Sequence, residues 1–216
     1  VDVRNHGDSF HTSTMEYSEL AQDIITLLDH LHIDTCILLG HSMGGKIAIQ
    51  VALTQPERIS KLLIADIAPV SYPPHHLKII AGLQAIDLSK VMKRKDADTQ
   101  LIPFVDNVGV RQFLLRNLAL NSQGKFAFKC SLSDISLCYP QIMKANVKPV
   151  EKSAYSGQTL FIKGGDSDYI LAEHREAIAA LLPNSKAKII QGAGHWLHAE
   201  KTIAFNKIHC YSNRLT

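Results

Sequence analysis

The sequence lacks several features that would assign it to a class at once. Its apolar runs all fall short of the roughly 18 residues that a membrane-spanning helix needs. The net charge is +3 over 216 residues, too small an excess to indicate a nucleic-acid partner. Neither the phosphate loop G-x-x-x-x-G-K-[ST] nor the dinucleotide pattern G-x-G-x-x-G occurs. These absences argue against membrane, nucleic-acid and nucleotide-binding functions.

Cysteine is scarce, and its spacing excludes two kinds of site. The four cysteines are Cys36, Cys130, Cys138 and Cys210, and no two of them form a C-x-x-C pair. This pattern favours four free thiols in a reducing compartment over a disulfide framework. We therefore expect a cytoplasmic protein.

The start of the chain has neither a methionine nor a signal peptide. Val1–Arg4 looks like the end of a strand, and a turn follows at residues 5–9. We therefore expect that the chain begins inside a domain and that its opening strands are missing.

What the sequence does contain is a strand, a tight turn and a helix around Ser42. Residues 36–39 are an apolar run of strand type, and a helix-forming run at 46–53 ends before Pro56. Between them, residues 40–44 read Gly-His-Ser-Met-Gly, the G-x-S-x-G pattern of a nucleophile elbow. Such a turn strains its central residue, and we expect glycine two residues before and after because side chains there would collide. The alternatives are a phosphate-binding turn or a turn with an idle serine.

A serine hydroxyl is a poor nucleophile and needs a neighbouring base. Of the eleven histidines, His195 is the best candidate, because it follows a strand and is flanked by Gly192 and Gly194. His41 is expected to belong to the packing of the elbow, and His198 to point elsewhere. The alternative is that His195 is a loop histidine without a catalytic role.

Strands and helices alternate along most of the chain. Strand patterns at 36–39, 62–65, 159–163 and 187–190 alternate with helix patterns, among them 17–31 and 172–182. This order predicts an α/β fold: a mostly parallel sheet with helices on both faces and strands buried on both sides. Ser42 and Asp66 would then both lie at carboxyl ends of strands, where such sheets place their sites.

The segment 69–150 has a different character. Helix patterns occur at 75–86, 98–105 and 110–118, without a convincing strand. We predict a helical cap over the site, the alternative being helices packed on the sheet edge. The predicted division is therefore 1–68, first part of the α/β core; 69–150, cap; and 151–216, second part of the core.

Four stretches together resemble the α/β-hydrolase fold family with a cap, most closely the bacterial YbfF-type esterases. They are Asp2–Ser9, Gly40–Gly45, Asp66–Val70 and Gly192–Lys201, and the resemblance covers almost the whole chain. It implies a serine hydrolase that cleaves small carboxylic esters or acyl thioesters, acyl-CoA among them, through an acyl-enzyme on Ser42. No metal or organic cofactor is implied. The alternatives are a C–C bond hydrolase or lyase of the same fold, or a non-catalytic ligand-binding member.

The resemblance leaves the acid of the triad open. The family usually carries it at the fourth position of G-x-x-D after the strand at 159–163, which is Ser167 here. The YbfF-type subgroup looks like it places the acid one strand earlier, at Asp66. We favour Asp66, with Asp168 and Asp166 as alternatives; Asp66 could instead cap the turn that follows it.

The oxyanion and the substrate would be held by further groups. A helix that starts at Met43 offers its backbone N–H as one oxyanion donor, and the resemblance implies that a His-Gly loop upstream of this chain supplies another. The activity is therefore predicted for a full-length protein. Candidates for the acyl pocket are Tyr72, Phe104, Phe113 and Tyr169, the alternative being that they form the core of the cap. The expected partner is a small-molecule ester or thioester, and the oligomeric state stays open.

Overall fold

The computed structural model describes residues 1–145, 147–148 and 154–212, with side chains up to 208. Two compact units make up the chain. The helical unit contains Val1–Glu16 and Tyr72–Lys144, and the sheet unit contains Tyr17–Ser71 and the described residues from Ala145 onward. The predicted boundary at residues 150 and 151 lies outside the described residues, and the three-part division stays a prediction.

The helices and strands have the following bounds. In chain order they are α1 Tyr17–His30, β1 Cys36–His41, α2 Met43–Thr54, β2 Ile59–Ala65, α3 Leu77–Gln84, α4 Arg94–Leu101, α5 Val108–Leu114, β3 Leu118–Leu120, β4 Phe126–Phe128, α6 Leu132–Met143, β5 Thr159–Gly164, α7 Arg175–Leu181, β6 Ser185–Ile190, α8 Leu197–Glu200 and α9 Thr202–Ser212.

A parallel sheet with the strand order β1-β2-β5-β6 forms the centre of the sheet unit. Leu38 pairs with Leu62 across β1 and β2, and Ile64 pairs with Phe161 across β2 and β5. Since all four strands run the same way, their carboxyl ends meet at one edge of the sheet. This confirms the predicted α/β class.

The strands differ in burial, which corrects one expectation. The central strand β2 is almost fully enclosed, with Leu62, Leu63 and Ile64 at most 1% exposed. The outer strands β1 and β6 instead expose Leu39 and Ile189 among other residues. The prediction that every strand is buried on both faces was therefore wrong for the two strands that form the edges of the described sheet.

Helices α1 and α2 pack against each other through an unusual pair. Lys46 is buried in α2, and its Nζ lies 5.5 Å from the centre of the Tyr17 ring on α1. A ring face attracts an ammonium group at this distance. Burial nevertheless disfavours the charged form and lowers the pKa of Lys46 to about 8.

The helical unit has its own apolar core and one element that the sequence patterns missed. Leu83, Leu101 and Leu118 belong to a buried cluster there. The prediction of helices without strands was wrong, since β3 and β4 form an antiparallel hairpin. The second and third predicted helices begin earlier than expected, as α4 and α5, and the unit also contains α6.

Two further observations concern the cysteines and the membrane. Cys36, Cys130 and Cys138 are free thiols, as predicted, whereas the side chain of Cys210 lies outside the described part of the structure. Within that part, none of the helices has the length and apolarity that crossing a bilayer requires.

Candidate active site

Ser42 lies between β1 and α2 in a strained backbone conformation. Its φ is +54° and its ψ is −124°, a region that residues other than glycine rarely occupy. The backbone N–H of Ser42 donates to the carbonyl of Ala65, at a distance of 3.0 Å, and so ties the turn to the end of β2. The predicted strain at the centre of the turn is confirmed.

The glycines around Ser42 have different roles from those predicted. A Cβ on Gly40 would lie 2.1 Å from the carbonyl oxygen of Gly44, so the requirement before the serine is steric. A Cβ on Gly44 would meet no described atom within 4 Å, so the predicted collision at this position was wrong. The second tight position is Gly45, whose Cβ would come within 2.5 Å of Ile67. The close approach therefore involves Gly40 and Gly45.

The start of α2 provides the N–H group expected for an oxyanion. In the described chain, the first backbone bond into this helix runs from the N–H of Gly45 to the carbonyl of Ser42, at 2.8 Å. The N–H of Met43 lies before that bond, at the positive end of the helix dipole. It is therefore placed to bind negative charge next to Ser42.

Asp66 is a fully buried carboxylate at the end of β2, 0% exposed and with a φ of +50°. Its Oδ1 accepts the backbone N–H of Gly164 at 3.0 Å. Its Oδ2 accepts from the Nδ1 of His195 at 2.9 Å and also from the hydroxyl of Ser167. Burying a carboxylate is costly unless it is hydrogen-bonded, and three donors meet that need here.

His195 joins this carboxylate to the serine. Its Nδ1 lies 2.9 Å from Oδ2 of Asp66, and its Nε2 lies 2.9 Å from Oγ of Ser42. A carboxylate can only accept, so Nδ1 carries the proton and Nε2 is left to accept the hydroxyl proton of Ser42. This is the tautomer that general-base catalysis requires.

The two alternative acids have other positions. Asp166 and Asp168 are exposed on the loop after β5, whereas Nδ1 of His195 pairs with Asp66. Ser167 on the same loop is only 6% exposed and donates to Asp66. Sequence reasoning noted the serine at this position but missed its hydrogen bond to the acid of the preceding strand.

One of the four aromatic candidates touches the imidazole. The ring of Tyr169 stacks on that of His195, with centroids 3.7 Å apart and planes 15° from parallel. Tyr72, Phe104 and Phe113 belong to the helical unit, where Phe104 packs against the apolar core. A role for these three in an acyl pocket stays a prediction.

Two further histidine rings lie beside the site. His41 and His195 have ring centroids 4.8 Å apart, and His41 and His198 have centroids 4.7 Å apart. His198 packs edge-on against His41, and the imidazole that reaches Oγ of Ser42 is that of His195. Burial is the main cause that lowers the pKa of both rings, that of His41 to about 4.

Known proteins match the chain in sequence and in structure. The family model described as alpha/beta hydrolase fold matches residues 1–202. The sn-1-specific diacylglycerol lipase ABHD11 of Mus musculus is 38% identical over 207 residues, 93% of this chain and 66% of that protein. Esterase YbfF of Escherichia coli (strain K12) is 37% identical over 202 residues, 93% of this chain and 76% of that protein.

Among solved structures, one described as a marine microorganism esterase matches with a TM-score of 0.91 and 35% identity. The match covers 97% of this chain and 82% of that chain. By its 66% coverage of the mouse relative, the chain spans about two thirds of the length of that protein. The resemblance predicted from the four sequence stretches is confirmed.

Proposed function

The chain belongs to the α/β-hydrolase fold family, and from that premise we propose that it is a serine hydrolase that cleaves carboxylic esters through an acyl-enzyme on Ser42. The esterase and lipase names of its relatives support a hydrolase. The activity is proposed for the protein to which these 216 residues belong.

The observation that carries the proposal is the hydrogen-bond chain from Asp66 through His195 to Ser42. Both bonds have a length of 2.9 Å, and all three residues lie in the sheet unit. A nucleophile within reach of a base, and a base oriented by a third group, is the arrangement that activates a serine.

In the proposed reaction, the Oγ of Ser42 attacks the acyl carbonyl while Nε2 of His195 takes the hydroxyl proton. The N–H of Met43 stabilises the oxyanion, and Asp66 stabilises the imidazolium. His195 then protonates the departing alcohol, which leaves an ester between the acyl group and Ser42. Water, deprotonated by the same imidazole, attacks this ester and releases the acid.

Acyl thioesters are the second substrate class that we propose for the same mechanism. A thiol leaves in place of the alcohol, and every other step is the same. We rank oxygen esters above thioesters as substrates because the relatives carry esterase and lipase names.

Labelling with a fluorophosphonate, followed by peptide mapping, tests the proposal. We expect phosphonylation of Ser42 and its loss in Ser42→Ala, with a fall in kcat for p-nitrophenyl acetate of about 10⁶-fold. Ser60→Ala is the matched control, because Ser60 is an exposed serine of β2 outside the hydrogen-bond chain. Modification of another residue, or unchanged turnover by Ser42→Ala, would contradict the proposal. A comparison of kcat/KM for p-nitrophenyl acetate with kcat/KM for its thioester analogue then ranks the two substrate classes.

A further inference from the structure

The carboxylate of Glu200 binds the main chain on both sides of His195. Glu200 is the last residue of α8. Its Oε2 accepts the N–H of Gly194 at 2.7 Å, and its Oε1 accepts the N–H of Trp196 at 3.2 Å. Hydrogen bonds to an ionised acceptor are stronger than those between neutral groups.

His41 binds the same piece of main chain from another element. It ends β1, directly before Ser42, and its Nε2 lies 2.8 Å from the carbonyl oxygen of His195. A carbonyl can only accept, so Nε2 of His41 carries the proton and donates it. The residue next to the nucleophile thus donates to the backbone of the base.

From these contacts we propose that His41 and Glu200 are positioning residues that grip both ends of the peptide group between His195 and Trp196. Its carbonyl accepts from His41, and its N–H donates to Glu200. The inference deepens the proposed function, on which it rests. The hydrogen bonds of both residues are made to the backbone and not to the reacting atoms.

The grip matters because a peptide group is planar. Its carbonyl and N–H lie in one rigid plane and point in opposite directions within it, so holding only one of them still lets the plane tilt. Holding both fixes the plane and the Cα of His195, which lies in it, and so limits the positions that the imidazole can reach. A displacement of about 1 Å in a catalytic group costs on the order of 100-fold in rate.

The surroundings of His41 are consistent with a neutral donor. The titratable groups that act on its ring are the imidazoles of His195 and His198 and the carboxylate of Asp66. Burial is the largest influence on the pKa of His41 and lowers it; the hydrogen bond to the backbone of His195 and the charge of Asp66 raise the pKa, and charge on the two imidazoles lowers it. The net effect is a pKa of about 4. A neutral His41 can hold the carbonyl without repelling the imidazolium that forms on His195.

Paired substitutions separate the hydrogen bond from the packing. His41→Gln keeps an N–H donor at the corresponding place, whereas His41→Leu keeps a side chain of similar size but has no donor. We expect His41→Leu to lower kcat for p-nitrophenyl acetate about 10- to 100-fold with little change in KM, and His41→Gln to stay within about fivefold of the unchanged protein. Glu200→Met should behave like His41→Leu. Lys201→Met, at the adjacent exposed lysine, is the control.

The double variant tests the two-sided grip itself. Because either loss alone frees the peptide plane, His41→Leu combined with Glu200→Met should be hardly slower than the slower single variant. The inference would be overturned if the double variant lost kcat by the product of the two single losses. It would also be overturned by a normal kcat in His41→Leu, or by equal losses of kcat in His41→Gln and His41→Leu.

A spectroscopic measurement keeps this test separate from the proposed function. The proton on Nδ1 of His195, shared with Asp66, gives an NMR resonance that needs no turnover. We expect it to persist in His41→Gln and to broaden or shift in His41→Leu. If the unchanged protein neither reacts with the fluorophosphonate nor hydrolyses esters, the proposed function fails, and this resonance still decides whether the grip exists. An identical resonance in both variants would overturn it.

Discussion

At the scale of single residues, the site depends on a carboxylate that is removed from water and held by hydrogen bonds. Asp66 is 0% exposed and accepts from Gly164, Ser167 and His195. Asp166 and Asp168 are exposed and solvated, so an interaction with either would be screened more strongly. Burial with three donors therefore favours Asp66 as the group that holds the tautomer of His195.

The choice of acid can be tested by two matched amide substitutions. Asp66→Asn keeps the shape but replaces one acceptor by an amide, which favours the wrong tautomer of His195. We expect kcat for p-nitrophenyl acetate to fall about 10⁴-fold. Asp168→Asn should leave kcat nearly unchanged. Full activity in Asp66→Asn, together with a loss of several orders of magnitude in kcat in Asp168→Asn, would reverse the assignment.

How far the sequence predicts these residues depends on the range of the interaction. Ser42 and His195 can be found locally, because each is flanked by glycines in a turn after a strand. Asp66 was favoured only through a family resemblance. The hydrogen bonds of Ser167 to Asp66 and of His41 to His195 join residues more than 100 positions apart. No pattern in the sequence of one segment contains them.

At the scale of secondary-structure elements, the elbow depends on how closely α2 approaches β1. Gly40 faces the carbonyl oxygen of Gly44, and Gly45 faces Ile67 and the carbonyl oxygen of Gly40. These contacts leave no room for a methyl group at either position. The G-x-S-x-G pattern therefore misidentifies the second sterically required glycine of this turn, which lies one residue later.

Neighbouring glycine-to-alanine substitutions in α2 test this assignment. Gly45→Ala should lower the free energy of unfolding by about 1–3 kcal/mol, the usual cost of overpacking. Gly44→Ala should raise it by up to about 1 kcal/mol, because alanine is the better helix former and meets no described atom. Urea unfolding followed at Trp196, the chain's one tryptophan and part of the sheet unit, measures both. A larger loss in Gly44→Ala than in Gly45→Ala would contradict the assignment.

The helices and strands of the helical unit were harder to predict, because their segments carry weak or conflicting sequence signals. Strands β3 and β4 have three residues each, too short for a periodic signal. The available signal was the turn between them, where Gly124 has a φ of +71° and its N–H donates to the carbonyl of Asn121. Pro140 lies inside α6 and lowers the helical propensity of that segment, so tertiary packing decides its structure.

At the scale of the whole molecule, the sheet brings distant segments together. Ser42, Asp66 and His195 follow β1, β2 and β6, and the strand order places the loop after β5 between the last two. The sequence could predict this convergence because parallel strands end at one edge. It could not predict that Val1–Glu16 belong to the same compact unit as Tyr72–Lys144. Buried Asn5, which accepts the N–H of Ser131 on its carbonyl, is one contact within that unit.

The stability of the whole protein should depend on pH through His41. The pKa of this buried ring falls from 6.5 in a solvated chain to about 4 in the folded protein. Between these values the unfolded chain binds more protons, so stability is fully present above pH 6.5 and is lost as the pH falls towards 4. The full effect is roughly 3 kcal/mol, at about 1.36 kcal/mol per pH unit.

The variant His41→Gln isolates this contribution, because it keeps a donor for the carbonyl of His195 but cannot titrate. Carboxylates and His198 titrate in both proteins, so their effects cancel in the difference between the two free energies of unfolding. We expect that difference to be constant above pH 6.5 and to shift in favour of the variant at lower pH, as measured by urea unfolding at Trp196. A difference that stays constant down to pH 4 would show that His41 is as readily protonated in the folded protein as in water.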